Sequence, residues 1–368
     1  MHLLRTQPGG FVPDDSIADL GQTPAELVIL CSGDSHLALL ADTAEQLPDD
    51  FPSLRLANPM QVQNHASVDL YFDQVLRHAK VILLSLHGGV GYWRYGVEQL
   101  VELAASGVQL ILVPGDDRPD PELSRLGTVP DAQAERLWHF LRQGGRANAL
   151  NLFKCLANQW LGRDYSWDAP QPLPRTSVYH PDKPAAQLQD WYGHWQPEQP
   201  VAPILFYRSD VFCQRLQAAG LNPLPIAVAS LKEMACLEQV EAWLDEVGAE
   251  VVINTTGFAL SSPERPNLRP LRRDVPVLQA ICAQDNQPGW EASEQGLGAL
   301  VLPELDGRII TRPVSFKDLA WRSERSQSDV VCYKAHPERM DFVAELARRW
   351  VELARLARGA GAGQLPHP

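Results

Sequence analysis

The chain has no Cys-x-x-Cys pair, no Gly-x-x-x-x-Gly-Lys-Ser/Thr loop, no His-x-x-x-His or His-Glu-x-x-His spacing and no Gly-x-Ser-x-Gly elbow. Each absence excludes a chemistry. Without paired cysteines there is no local signature of a zinc or iron–sulfur site. Without the glycine–lysine loop the chain is not a P-loop nucleotide hydrolase. Without the histidine spacings it is not a zinc hydrolase of the helix-borne type, and without the serine elbow it is not an α/β-hydrolase. No apolar run reaches the ~18 residues of a membrane-spanning helix. The Met1-His2-Leu3-Leu4-Arg5-Thr6 start is too poor in apolar residues for a signal peptide. Positive charge is also short: 32 Lys and Arg stand against 45 Asp and Glu, a net charge of −13. A nucleic-acid surface needs clustered cations, so no nucleic-acid partner is expected, and no membrane one.

What is present is enough for two or three ordinary domains: 368 residues, 45% of them hydrophobic. The six cysteines are scattered singly, as expected in a reducing cytoplasm. Two blocks alternate strand-like and helix-like runs. In the first (1–165), Leu27–Cys31, Val81–Ser85 and Leu110–Val113 are short apolar runs that open into Ser32-Gly33-Asp34, His87-Gly88-Gly89 and Pro114-Gly115-Asp116-Asp117. Near-continuous apolar strands separated by helices predict a parallel sheet covered on both faces. Helices are expected over 96–106 and 68–79, and an all-helical stretch over 131–161. Eight of the 30 prolines then fall between Trp167 and Pro203. Proline fixes φ and removes a donor, so 166–203 reads as an extended connector whose tryptophans pack on a domain. The second block (204–335) has strand-like runs at 204–207, 224–228, 251–254 and 277–281, and helices over 211–219 and 233–247. A helix over 336–358 follows, with Val343, Leu346, Trp350, Leu353 and Ala357 forming an apolar stripe. Residues 359–368 read as a frayed tail. The fold class is therefore α/β: two open parallel-sheet blocks of flavodoxin-like or Rossmann-like type, a Pro-rich connector and a C-terminal helix.

In open parallel sheets, ligands bind beyond the carboxyl ends of the strands. That rule nominates the loops 32–36, 87–95, 115–120, 208–210 and 254–262. In the loop from His87 to Gly96, Gly88 and Gly89 allow close backbone approach to a ligand. Gly89-x-Gly91-x-x-Arg94 lacks the third glycine of a dinucleotide fingerprint. Tyr92, Trp93 and Tyr95 have two readings: stacking on a flat conjugated ligand, or anchoring the following helix. Asn254, Thr255, Thr256 and Gly257 also have two: holding a carboxylate or amide, or capping their own backbone. Asp116, Asp117 and Asp120 have two readings: a hard-cation site with a low ligand count, or a turn, which Pro119 and Pro121 suggest. His36 and His87 are the histidines best placed to act as ligands.

Several stretches, in order, resemble one family. They are Met1-His2-Leu3-Leu4, Gly88 to Gly96, Pro114-Gly115-Asp116-Asp117, Phe206-Tyr207-Arg208-Ser209 and Asn254-Thr255-Thr256-Gly257-Phe258. Trp290 to Leu297, Leu302-Pro303-Glu304-Leu305-Asp306-Gly307, His336-Pro337-Glu338-Arg339 and Ala347-Arg348-Arg349-Trp350 continue the series. Together they resemble the large subunit of aerobic cobaltochelatase and its relative, the H subunit of magnesium chelatase. The resemblance implies ATP-dependent insertion of cobalt(II), a substrate, into hydrogenobyrinic acid a,c-diamide in cobalamin biosynthesis. It implies two partner subunits, an AAA+ ATPase and an integrin-like protein, with ATP hydrolysed there and not on this chain.

The similarity covers the chain to about Leu356 and corresponds to the N-terminal third of that subunit. Segments after Ser209 and after Leu297 look contracted, and the last residues look like a truncation or an altered frame. No catalytic or metal-binding residue transfers. The substrate-binding group is His87, Gly88, Gly89, Tyr92, Trp93 and Arg94, with Asn254, Thr255, Thr256 and Gly257. The expectation is a chain inactive alone. The alternatives are a non-catalytic module that binds corrinoid or docks subunits, and an inactive truncated gene product.

Overall fold

A computed structural model describes residues 17–183, 185–206, 212–257, 271–292 and 301–360. The chain forms two compact units: 1–173 with 317–332, and 174–316 with 333–368. The sequence blocks had placed 317–332 wholly with the second half. Among the motifs read above, Met1 to Leu4, Tyr207 to Ser209, Phe258 and Ser293 to Leu297 lie outside the described residues.

Unit 1 runs β1 (Leu27–Cys31), α1 (Asp34–Ala44), β2 (Leu54–Ala57), α2 (His65–Gln74), β3 (Val81–Leu86), α3 (Arg94–Ala104), β4 (Gln109–Pro114), α4 (Pro121–Ser124), α5 (Asp131–Gln143) and α6 (Arg146–Trp160). The four strands are parallel, in the order β2-β1-β3-β4. All five residues of β1 and all six of β3 are buried, which follows from helices covering both faces. Strand alternation divides the core. Leu27, Ile29, Cys31, Val81, Leu83, Ile111 and Val113 share one cluster with α1, α5 and α6. Val28, Leu30, Ile82, Leu84 and Leu86 share the other with α2 and α3. The stretch expected to be one helical run is two helices, because Gly144 and Gly145 both take positive φ between α5 and α6.

Unit 2 runs β5 (Thr176–Val178), α7 (Gln189–Tyr192), β6 (Val201–Phe206), α8 (Cys213–Ala218), β7 (Asn222–Val228), α9 (Met234–Glu246), β8 (Val252–Asn254), β9 (Val277–Cys282), α10 (Gln287–Ala292), α11 (Val301–Leu305), the part of β10 (Ile309–Arg322) up to Phe316, the part of β11 (Asp329–Ala335) from Tyr333, and α12 (Pro337–Ala360). The sheet order is β11-β10-β9-β8-β6-β7-β5. Its centre is parallel, but β5 pairs antiparallel with β7, so the sheet is mixed. The connector therefore contains regular structure that its prolines concealed. On β7, β5 pairs with Ile226, Ala227 and Val228, beyond the donor-less Pro223 and Pro225. Trp191 is buried in the unit 2 core, and the Trp195 indole donates to Pro223 O at 2.8 Å.

On α12 the buried face is Met340, Val343, Ala344, Ala347 and Val351, with Leu346 and Trp350 packed beside it. Leu353 is 55% exposed and Ala357 is exposed, so the expected stripe holds only in its first half. The strands β2, β10 and β11 were not foreseen. Their apolar runs are short or, in β10, interrupted by Arg312, Lys317 and Asp318.

Candidate functional site

The strand order of unit 1 reverses between β1 and β3, because β1 leads outward to β2 and the chain then returns to β3. At such a switch the loops after the strands part and leave a crevice. Three loops meet there: 32–36 after β1, 87–95 after β3 and 115–120 after β4. His87 is the hub. Its N–H donates to Ser32 Oγ at 2.9 Å, and its Nδ1 lies 2.8 Å from the same oxygen. The His36 ring is stacked against it, with centroids 6.4 Å apart and planes at 23°. A Cβ on Gly115 would lie 2.6 Å from His87 Nδ1, and one on Gly33 3.2 Å from its Cε1. Both glycines therefore make room for this imidazole, a close-approach requirement that a sequence shows only as glycine after a strand.

The other nominated residues of this loop divide by role. Gly88 N–H donates to Asp116 Oδ2 at 3.1 Å. Gly88 has φ +72°, and a Cβ there would fall 1.9 Å from the Tyr92 ring, so Tyr92 packs over the glycine. The Oδ2 of Asp120 lies 3.1 Å from where a Gly89 Cβ would be. Trp93 is 4% exposed, and its indole donates to Val62 O at 3.0 Å. It anchors the start of α3 instead of offering a face to a ligand. Tyr95 stacks on His65 at 4.0 Å and donates to Asp69 at 2.6 Å, and that bond is the main reason its phenol pKa is raised. Arg94 is exposed, 3.9 Å from Glu98 on its own helix. Asp120 caps α4 by accepting from Leu123 N at 3.0 Å, which agrees with a turn there.

A buried charge cluster completes the floor and was missed from the sequence. Asp34, in the first turn of α1, accepts from Asn58 Nδ2 at 2.7 Å and from Lys317 Nζ at 2.8 Å. The side chains of Lys317 and Asp34 are 11% and 8% exposed. Burial, then the Asp34 carboxylate, pushes the Cys332 thiol pKa up, and burial raises those of Cys282 and Cys155, the last to about 11. All three are thiols at neutral pH, not nucleophilic thiolates. Ser85 Oγ, on the penultimate residue of β3, is buried without a hydrogen-bond partner among the described residues. The crevice thus offers an imidazole, a hydroxyl and carboxylates able to bind polar groups. No signal in the sequence links Lys317 to Asp34, which lie 283 positions apart.

The second nominated group lies in unit 2, at the end of β8. Asn254 accepts from Thr256 N at 3.3 Å and from Thr256 Oγ1 at 2.8 Å, and donates to Gln279 Oε1 at 2.8 Å. Gln279 donates to Thr256 O at 3.0 Å and accepts from Arg308 at 2.9 Å. Arg308 in turn pairs with Asp306 at 2.9 Å, both almost fully buried. Thr255 bonds back to Leu205 O through its N–H at 2.9 Å and its hydroxyl at 3.0 Å. These side chains close on their own backbone and on one another, and Gly257 is exposed. Gln279, Arg308 and Asp306 were absent from the sequence-derived group. A surface groove of about 450 Å³ beside α5, lined by Arg136, His139 and Pro170 among others, contains none of the ten nominated residues.

Both units are open-sheet α/β bodies with polar groups gathered at strand ends, an arrangement typical of proteins that hold a ligand at a sheet's carboxyl edge. The chain belongs to the CobN/magnesium chelatase family, whose description matches residues 138–360. It is 68% identical over 371 residues to aerobic cobaltochelatase subunit CobN of Pseudomonas aeruginosa, covering 96% of this chain and 30% of that protein. The protein of the same name from Sinorhizobium sp is 33% identical over 382 residues, with the same coverage of 96% and 30%. The catalytic subunit of cobaltochelatase from Mycobacterium tuberculosis has a similar fold, with a TM-score of 0.58 at 23% identity over 91% of this chain and 28% of that one. The chain spans 30% of the length of the two curated relatives.

Proposed function

We propose that this chain forms part of the large subunit of an aerobic cobaltochelatase. In that assembly it takes part in ATP-dependent insertion of cobalt(II), a substrate, into hydrogenobyrinic acid a,c-diamide. The observation that carries this reading is the 68% identity to a cobaltochelatase subunit across 96% of the chain. The missing phosphate-binding loop agrees with hydrolysis of ATP on partner subunits, an AAA+ ATPase and an integrin-like protein. The assembly acts in the cytoplasm as a ligase-type chelatase. The task of this portion is to position a macrocycle through its amide and carboxylate arms, for which the His87 crevice supplies donors and acceptors. No helix among the described residues is long and apolar enough to cross a membrane.

The test is a chimera in which this chain replaces the matching portion of the Pseudomonas aeruginosa protein. Cobalt insertion is measured with partner subunits, ATP, cobalt and corrinoid. Retained insertion supports the reading; a folded, assembled chimera that inserts no cobalt rejects it. The chain alone, mixed with the same components, is expected to insert none.

A second reading, a docking module without chemistry of its own, is favoured by Leu353 and Leu356, which are 55% and 69% exposed on α12. It predicts that charged substitutions at these two positions abolish subunit assembly while corrinoid binding is unchanged.

A further inference from the structure

Ser32, the first residue after β1, touches His87 twice. Its Oγ accepts the His87 backbone N–H at 2.9 Å and lies 2.8 Å from His87 Nδ1. A third neighbour, the Ser85 carbonyl oxygen, is 3.3 Å away. A hydroxyl has one proton to give, so Ser32 can donate to Nδ1 or to the Ser85 oxygen, not to both. Hydroxyl donors sit about 2.5–3.0 Å from their acceptors, a range that Nδ1 meets and the Ser85 oxygen exceeds. The Ser85 oxygen is also already served, accepting from Ser32 N at 3.1 Å. The Ser32 proton therefore goes to Nδ1. A neutral imidazole whose Nδ1 accepts carries its hydrogen on Nε2.

The ring is pinned in this orientation. Nδ1 lies 2.6 Å from where a Cβ on Gly115 would be, and Cε1 lies 3.2 Å from one on Gly33. The His36 ring stacks alongside, with centroids 6.4 Å apart. Turning the imidazole over would set carbon against the Ser32 hydroxyl and leave that donor with the longer Ser85 contact.

We propose that Ser32 is a positioning residue that holds His87 in its Nε2–H tautomer, so that the crevice gives a hydrogen-bond donor to an amide oxygen on an arm of the corrinoid. The ligand rests on the chelatase reading, and the tautomer does not. An amide oxygen suits this place better than a carboxylate. Asp116 Oδ2 accepts from Gly88 N at 3.1 Å, and Asp120 Oδ2 lies 3.1 Å from the Cβ position of Gly89. Two carboxylates thus flank the residues next to His87. They repel a further anion, and a neutral imidazole has no charge to offset that repulsion.

NMR of the whole chain, with isotopically labelled histidine nitrogen, reads the tautomer directly, because protonated and bare ring nitrogens resonate far apart. Loss of one signal in His87→Gln assigns the resonance. At neutral pH the wild type should show His87 with its hydrogen on Nε2, and Ser32→Ala a mixture of tautomers. Ser32→Thr keeps the hydroxyl and should restore the wild-type pattern. Addition of hydrogenobyrinic acid a,c-diamide should move the Nε2 proton downfield. In calorimetry, Ser32→Ala should weaken binding of the diamide roughly tenfold, and binding of the same macrocycle with those amides hydrolysed to acids by less. A His87 ring protonated on Nδ1 in the wild type, a tautomer unmoved by Ser32→Ala, or equal losses with the two macrocycles overturns the proposal. So does a wild-type chain that does not take up the diamide. Cobalt insertion by the chimera does not depend on the tautomer, so the chelatase reading and the role of Ser32 fail separately.

Discussion

Replacing Lys317 by Met tests whether the Asp34 cluster holds residues 317–332 within unit 1. The Lys317 ammonium lies 2.8 Å from Asp34 Oδ2, and Asn58 serves the other oxygen at 2.7 Å. Methionine keeps most of the apolar stem but removes the cation, leaving a carboxylate that is only 8% exposed without its ammonium donor. Breaking one side of a buried pair costs about 3–5 kcal/mol, because the remaining charge stays desolvated. The slight solvent access of this pair puts the expected loss near the lower bound, about 3 kcal/mol. For a unit of this size that is a fall in Tm of roughly 6–12 °C. Thermal unfolding and urea titration measure it, and hydrogen exchange of 317–332 shows where protection is lost. The double variant Asp34→Asn with Lys317→Met removes both charges and should cost less than the sum of the singles. A loss under about 1 kcal/mol for Lys317→Met, or strict additivity in the cycle, would refute the reasoning.

Three further outcomes follow from particular contacts. Gly96→Ala should destabilise unit 1 by about 1–2 kcal/mol: helix propensity gains about 1 kcal/mol, but a Cβ 2.2 Å from the Trp93 ring forces repacking; a rise in Tm would contradict it. Arg308→Met removes the cation that faces the buried Asp306 carboxylate and should cost about 3–5 kcal/mol in urea unfolding, and a change below about 1 kcal/mol would show that the network carries little. Hydrogen bonds from Arg348 and Arg349 hold the Glu345 carboxyl pKa down to about 2. A depressed folded-state value means the contribution to α12 is present above about pH 4.5 and is lost as pH falls toward about 2. Far-UV circular dichroism of the chain and of Glu345→Gln over that window checks this. The two should converge at the acid end and at high salt, and parallel curves would count against it.

Much of the architecture was legible because buried parallel strands need uninterrupted apolar residues. The runs at Leu27, Val81, Leu110, Leu224, Val252 and Val277 all became strands of the two sheets. The loops that follow the first three of these runs did gather around one crevice. The connector was less legible: its prolines argue against regular structure, yet Ser177 and Val178 pair with β7 because the last residues of that strand still offer backbone partners. The stripe on α12 was read too far, since periodicity continues through Leu353 and Ala357 after the core beneath the helix has ended. Trp93 showed the two faces of one signal. An aromatic in a glycine-rich loop suits ligand stacking or packing equally, and only the Val62 hydrogen bond and the contact with Gly96 assign it to packing.

The sequence by itself determined the class of the fold, the family and the loops where polar chemistry gathers, because all three are local: apolar runs, glycine at strand ends and ordered short motifs. Tertiary structure decided which side chains complete those loops. Lys317 reaches Asp34 from 283 residues away, Gln279 closes on Asn254, and Arg308 holds Gln279. A buried charge or amide must find its partner wherever the chain returns through space, and nothing in its neighbours along the sequence records where that will be.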